Sequence, residues 1–366
     1  MPLARWLLAG ALWLHGTQEP KPPEFRADVR MIRLDVSVVD GAGRPVAGLE
    51  AQDFVVSEEG RPVPITFFEA VEARSDAAEL AGTTAGGAAA SRRRVLLLVD
   101  AGPMTPVQVF RAREAAARYL REGAVDGDWV RLVNLSSGRA WDGWMPSDRA
   151  RLEAAARSLA RVPSAWAYGG ALMEPIEERA ESDTPDMPSE AETSGQFLSA
   201  FAQTSGLLGM LESLLVQLGG VEGRKAVVLI SPGFPQLRSL DERLQQVSSL
   251  ARQAATAVYF VDAMGLDGLL PEGPGSGRLL PAFESAWRRS GGAQDLAEAT
   301  GGFTSRFSNS LLPALLRVAS ELRTYYVIGY VPPRPADGRF RNVRVRVNVP
   351  GVTARTKKGY LAGGRG

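Results

Sequence analysis

The chain has 366 residues, with 42 Lys and Arg against 41 Asp and Glu, a single histidine (His15) in a removable N-terminal stretch, and no cysteine. That inventory excludes disulfides, thiol nucleophiles and soft-metal sites, and leaves carboxylates, hydroxyls, amides, Lys and Arg for chemistry, which argues against an enzyme. A net charge of +1 gives no drive toward nucleic acid or an anionic membrane, and 45% hydrophobic residues fit a globular chain of about two domains.

Arg5 precedes the apolar run Trp6 to Leu14, and the chain turns polar from Thr17 to Lys21. One positive charge before a short apolar run describes a secretory signal peptide over residues 1–16, with cleavage after Ala11 or Gly16. The run is well short of the roughly 20 residues that span a bilayer as a helix. No later segment is long enough to anchor the mature chain, so stable membrane insertion is not expected. Export without cysteine fits a bacterial envelope, either secreted or periplasmic.

From 25 to 72 the pattern has period two. Ile32, Leu34, Val36 and Val38 share one face of a strand and Arg33, Asp35 and Ser37 the other. Asp40 to Pro45 is a turn cluster. Further strands are expected at Phe54–Ser57 and Val63–Phe68, joined at Glu59-Gly60, with Pro62 and Pro64 placing the last at a sheet edge. Residues 73–93 are mostly small and build no core, so they read as a linker.

Residues 94–324 alternate between buried strands and amphipathic helices. Val95 to Val99 is a continuous apolar run ending in Asp100, as in a parallel strand buried on both faces. Thr105, Pro106 and Gln108 then open a helix through a capping box. Strands follow at Val130–Leu135, Arg139–Met145, Ala226–Ile230, Thr256–Val261 and Phe303–Phe307. Helices are expected after Ser147, over Leu207–Leu218, from Ser239 with Glu242 as a capping box, over Ala293–Ala299, and along Leu312–Leu322. Alternation of this kind implies a doubly wound, mostly parallel sheet.

Residues 325–361 return to β. Tyr325–Tyr330 is strand-like, Arg341–Val349 alternates with Val343, Val345 and Val347 on one face, and Thr353–Lys357 supplies a last strand. Neither β end is large enough for a core alone. The expected architecture is therefore an α/β domain inserted into a β-sandwich built from the N- and C-terminal segments.

A strand ending in Asp100, a short loop and helix, and a later strand ending in Ser231-Pro232-Gly233 resemble the von Willebrand factor type A (vWA) fold. The order of segments is similar to vWA-related proteins abundant in acidobacteria. The matching residues are Leu34 to Asp40, Leu49, Asp53-Phe54, Glu58-Glu59-Gly60, Gly127-Asp128-Trp129-Val130, Gly223-Arg224-Lys225, Ser231 to Phe234, Tyr259 with Asp262, Thr300-Gly301-Gly302, Tyr325 to Tyr330, Asp337-Gly338 and Gly359-Tyr360. They run in order through nearly the whole mature chain.

The resemblance implies where a Mg²⁺ or Mn²⁺ adhesion site would lie. The family pattern is Asp-x-Ser-x-Ser after the first strand, a Thr from another loop and an Asp after the fourth strand, all oxygen donors to a hard cation. Here the first Asp is Asp100, but the serine positions hold Gly102 and Met104, the late Asp position holds Pro232, and the Thr position near Gly169-Gly170 falls on Ala171. Only Asp100 survives, so no metal or other cofactor is expected, and Asp100 reads as a strand-end carboxylate bonded to nearby amides.

The resulting expectation is an exported, non-enzymatic, adhesion-type module for a protein or peptide partner. Its binding rim would be Asp100, Thr105, Ser136, Ser231, Phe234 and Asp262, at the carboxyl ends of the strands. One alternative keeps Mg²⁺ or Mn²⁺, held by Asp100 with oxygens of Ser231 or Asp262. A remoter one is a hydrolase using carboxylates or Ser231, although no Gly-x-Ser-x-Gly surrounds that serine. Gly273–Gly277 lacks a phosphate-loop lysine and reads as a flexible insert. The acidic stretch Glu174–Glu192 lacks calcium-loop spacing and reads as a solvated loop. Arg339, Arg341, Arg344, Arg346, Arg355, Lys357 and Lys358 read as a solvated basic sheet face. Trp129, Trp141, Trp144 and Trp166 read as packing, or as an aromatic contact patch.

Overall fold

A computed structural model describes residues 31–72, 93–160, 190–221, 223–266 and 279–363, with backbone alone for 190–194, 196 and 279–288. The expected signal peptide, the 73–92 part of the linker, Trp166, Gly169 to Ala171, the acidic stretch up to 189 and Gly273–Gly277 lie outside the described residues.

The N-terminal strands are β1 (Ile32–Asp40), β2 (Phe54–Glu58), β3 (Arg61–Val63) and β4 (Phe67–Glu72). Then come β5 (Arg94–Val99), α1 (Pro106–Glu122), β6 (Trp129–Asn134), β7 (Arg139–Trp144), α2 (Arg149–Arg157), α3 (Glu190–Gly219) and β8 (Lys225–Ser231). They are followed by α4 (Asp241–Gln253), β9 (Thr256–Asp262), α5 (Leu279–Thr300), β10 (Thr304–Ser305) and α6 (Leu312–Arg323). The chain closes with β11 (Thr324–Tyr330), β12 (Phe340–Val347), β13 (Val352–Arg355) and β14 (Gly359–Leu361).

The fold is mixed α/β: a six-stranded sheet in the order β10-β9-β8-β5-β6-β7, parallel except for β7, and two antiparallel four-stranded sheets. Continuous apolar runs make β5, β8 and β9 central because both of their faces are covered. One face carries α1, α2 and α6 over Leu97, Val99, Val228 and Ile230; the other carries α3, α4 and α5 over Leu96, Leu98, Val227 and Leu229. Helix α1 begins where its capping box says: Gln108 N donates to Thr105 Oγ1, and Thr105 N donates to Gln108 Oε1. No helix among the described residues is long and apolar enough to cross a membrane.

The two antiparallel sheets run β13-β1-β11-β4 and β14-β12-β2-β3, so each joins strands from both ends of the chain. Leu34, Val36, Phe54, Val56, Tyr326, Ile328, Val343 and Val345 form one shared apolar cluster. Into it the chain buries Glu58. Its carboxylate accepts from Tyr330 Oη at 2.8 Å, Tyr360 Oη at 2.9 Å and Arg341 Nη1 at 3.3 Å. Burial and this carboxylate push both phenols up, so each stays a protonated donor.

Several elements differ from their sequence patterns. The run Val63–Phe68 is not one strand: it divides into β3 and β4, which belong to different sheets. Pro64 has no N–H for a ladder, and Thr66 N donates instead to Gly329 O. Ser147 does not cap α2. Its hydroxyl donates to Trp144 O, and Asp148 occupies the cap position with its carboxylate turned to Trp144 N and Arg151. Ser239 and Glu242 form no capping box, because a 3-10 turn over Arg238–Leu240 seats buried Leu240 before α4 begins.

Helices α3 and α5 extend far upstream of the expected Leu207 and Ala293, through Gly- and Ser-containing sequence with no clear apolar stripe. The expected strand Phe303–Phe307 shrinks to β10, Arg341–Val349 shifts to β12, and Thr353–Lys357 becomes β13 followed by the separate β14.

Removing Glu58 takes the acceptor from two phenols and one of two carboxylate partners from the buried Arg341. Glu58→Ala is expected to destabilise the fold by about 3–5 kcal/mol, read from urea unfolding, and Glu58→Gln by less because it keeps one acceptor oxygen.

Candidate functional site at the carboxyl end of the central sheet

From β5 the chain builds outward through β6 and β7 on one side, then returns to place β8, β9 and β10 on the other. This reversal makes β5 and β8 the switch point of the sheet, beyond whose carboxyl ends open α/β sheets bind ligands. Asp100 follows β5, Ser231 ends β8, Asp262 ends β9 and Ser136 follows β6. Four of the sequence-selected residues therefore stand on four adjacent strands.

Their chemistry is turned inward. Ser231 is fully buried; its Oγ donates to Asp100 Oδ2 at 2.9 Å and accepts from Gly233 N at 3.0 Å. Asp100 is buried as well, and its backbone N–H donates to Ile230 O. The serine hydroxyl thus gives the Asp100 carboxylate a donor within the turn, and is itself held by the Gly233 amide. Asp262 accepts from Met264 N at 2.9 Å, and burial raises its pKa to about 6, opposed by that bond and by Arg306 and Arg289. Ser136 N donates to Asn134 Oδ1, while its own buried Oγ has no hydrogen-bond partner.

Phe234 is not on a rim. Gly233, at φ +89°, turns the chain so that the Phe234 ring packs against Gly292 of α5, where a Cβ would meet the ring at 2.6 Å. Of the six residues expected to form a contact rim, Thr105 alone is exposed. The other five are buried because each anchors a strand-end turn.

The donor set does not fit a Mg²⁺ or Mn²⁺ centre. Met104 is fully buried within the apolar core over α1, Gly102 and Pro232 have no side-chain oxygen, and Asp100 is already engaged by Ser231. Among the described residues, no group of three or more acidic, His or Cys side chains could hold a metal ion.

This end also exposes apolar side chains. Val107 is 62% and Phe110 61% exposed, three residues apart on the first turns of α1. They fall out of phase with buried Gln108, Val109, Ala112 and Ala116, and that misfit in the apolar pattern is the signal that sequence reading passed over. Exposed Leu266, after β9, is tied to the same helix: Asn309 Oδ1 accepts from Leu266 N at 3.0 Å and from Arg111 Nη1.

The other motif segments have architectural partners. Asp128 binds Arg93 at 2.7 Å and accepts from Val125 N. Arg224 stacks 3.9 Å from the Tyr325 ring centroid and donates to Ser37 Oγ. Thr300 Oγ1 donates to the backbone of α5 and accepts from Val258 N, and a Cβ on Gly302 would lie 1.9 Å from Val258 O. Of the basic C-terminal segment, Arg341 and Arg355 are drawn into ion pairs, whereas Arg344 and Arg346 face solvent.

No family model matches the chain, and no curated protein does. Among solved structures, it is similar to the N-terminal domain of TFIIH p34, at 13% identity over 62% of this chain and 97% of that one, with a TM-score of 0.27. So loose an overlap carries no residue correspondences.

The raised pKa of Asp262 has a pH signature. The unfolded chain releases this proton near pH 3.9 and the folded one near 6, so the folded state holds more protons between those values and loses stability as pH rises through them. Asp262→Asn keeps the acceptor for Met264 N and is expected to add on the order of 2 kcal/mol at pH 7. Little of that gain should remain at pH 4, as read from denaturant midpoints.

Proposed function

We propose that this protein is an exported, non-enzymatic interaction module of the vWA type. In this reading residues 94–324 form a doubly wound α/β domain inserted into a β-sandwich made by residues 25–72 and 325–361, and residues 1–16 direct export to the bacterial envelope or beyond. The partner is a protein or peptide, bound at the carboxyl end of the central sheet without a bridging cation. The observation that carries this is that Asp100, Ser136, Ser231 and Asp262 are buried in turns at that end, while Val107 and Phe110 stand in solvent with Leu266 on the adjoining loop. Exposed apolar groups at a switch point suit a contact surface better than a reaction centre. Burial of Ser231 and its bond to Asp100 weigh against the hydrolase alternative.

The test is capture from native envelope extract, using the mature chain and the variants Val107→Glu and Phe110→Glu, each with and without chelator. The expected result is one partner recovered equally with and without chelator by the wild type, and at least tenfold less by either variant. Capture that requires Mg²⁺ or Mn²⁺ and is abolished by Asp100→Ala would instead establish the metal-dependent alternative.

A further inference from the structure

The opposite, amino-terminal end of the central sheet holds a cleft that the contact surface does not use. It has a volume of about 100 Å³ and lies between the starts of β5 and β6 and the last turns of α3, lined among others by Arg94, Trp129, Arg131, Leu214, Gln217 and Leu218. Helix α3 has no basic residue in its own last turn, so its negative end draws cations from the sheet. Lys225 Nζ donates to Val221 O, just past the helix. Arg131 donates to Gln217 Oε1 at 3.1 Å and lies 3.4 Å from Asp142, whose side chain is about half exposed.

Arg94 has no such occupation. Its guanidinium makes no ion pair among the described residues and sits 5.3 Å and 5.6 Å from the ring centroids of Trp129 and Trp144. The Arg94 side chain lines the cleft beside those rings. A planar guanidinium fork is shaped to receive two oxygens of one carboxylate. The surrounding walls are aliphatic and indole, which favours an anion with an apolar body over bare phosphate. The volume is far below the roughly 300 Å³ at which sites for drug-sized ligands begin.

We propose that this cleft binds a carboxylate carried on a short branched apolar group. Arg94 takes the carboxylate, and Leu214, Leu218 and the Trp129 ring enclose the body. A free small acid and the C-terminal carboxylate of a chain ending in an aliphatic residue share this chemistry. Because the cleft lies at the other end of the strands from Val107 and Phe110, it stands or falls independently of the proposed contact surface.

Calorimetric titration with isovalerate, with isoamyl alcohol as the uncharged control, tests the site. Parallel arms use acetyl-Ala-Ala-Leu as the free acid and as the amide. The expected result is saturable one-site binding of isovalerate but not of the alcohol, weakened at least tenfold in Arg94→Gln and lost in Leu214→Trp, which fills the cleft. Circular dichroism should show both variants folded. Tighter binding of the free-acid peptide than of isovalerate, with none of the amide, marks a chain end as the source; weaker binding of the peptide marks the free acid. Absence of saturable binding by either acid, or binding undiminished in every folded variant, overturns the proposal.

Discussion

The Glu58 carboxylate is the constraint on which the β part of this molecule depends. It belongs to a short N-terminal strand, and its three donors come from positions 272 to 302 residues later in the chain. A buried carboxylate without partners is too costly to keep, and of its partners Tyr330 and Arg341 are themselves buried. The four groups are therefore tolerable only together, and only when both ends of the chain are in register. Closing so long an intervening loop adds little, because loop entropy grows only with the logarithm of length. A complete α/β block can consequently sit between two β segments without preventing their pairing.

The block is fastened by the same physical device. Arg224, at the start of β8, reaches Ser37 and Asp35 of β1 and stacks on Tyr325 of β11. Glu321 of α6 is fully buried and accepts from Arg317 at 3.2 Å and from Arg355 of β13. The Arg317 and Arg355 guanidiniums also lie over Phe303, beside the corner where Gly301, at φ +86°, admits the backbone of Thr356 and Lys357. Arginine suits these joints because its planar charge accepts a ring on its face while its edge donates hydrogen bonds. Much of the balanced charge seen in the composition is thus spent holding sheets and helices together, which leaves less of it as a solvated face.

The buried strands were legible in the sequence because burial on two faces writes itself as an uninterrupted apolar run, as in Val95–Val99 and Ala226–Ile230. The capping box at Thr105 was legible because it is local. What escaped reading depends on contacts across the chain. Ser147 and Ser239 have the right spacing for caps, but Trp144 and the burial of Leu240 redirect the local geometry. Phe234 looked like a loop aromatic until Gly292 offered it a seat. At the candidate site, sequence placed Asp100, Ser136, Ser231 and Asp262 on adjoining strands. It did not reveal that Ser231 and Asp100 answer each other, since that bond joins residues 131 positions apart.

Seen as one sheet, the two ends of β5 are opposites. At the carboxyl end, Asp100 gains the hydroxyl of Ser231, and Ser231 in turn the amide of Gly233, while Val107 and Phe110 stand in solvent. At the amino end, the Arg94 guanidinium lies beside two indoles at a largely apolar cleft. A closed polar network gives a stable platform, whereas a cation beside indole rings keeps its charge against an apolar wall. The same strand therefore holds both ends rigid by its central burial while giving them different chemistry. An apolar surface at one pole and a cationic cleft at the other are compatible in a single chain because neither draws on the groups that hold the sheet together.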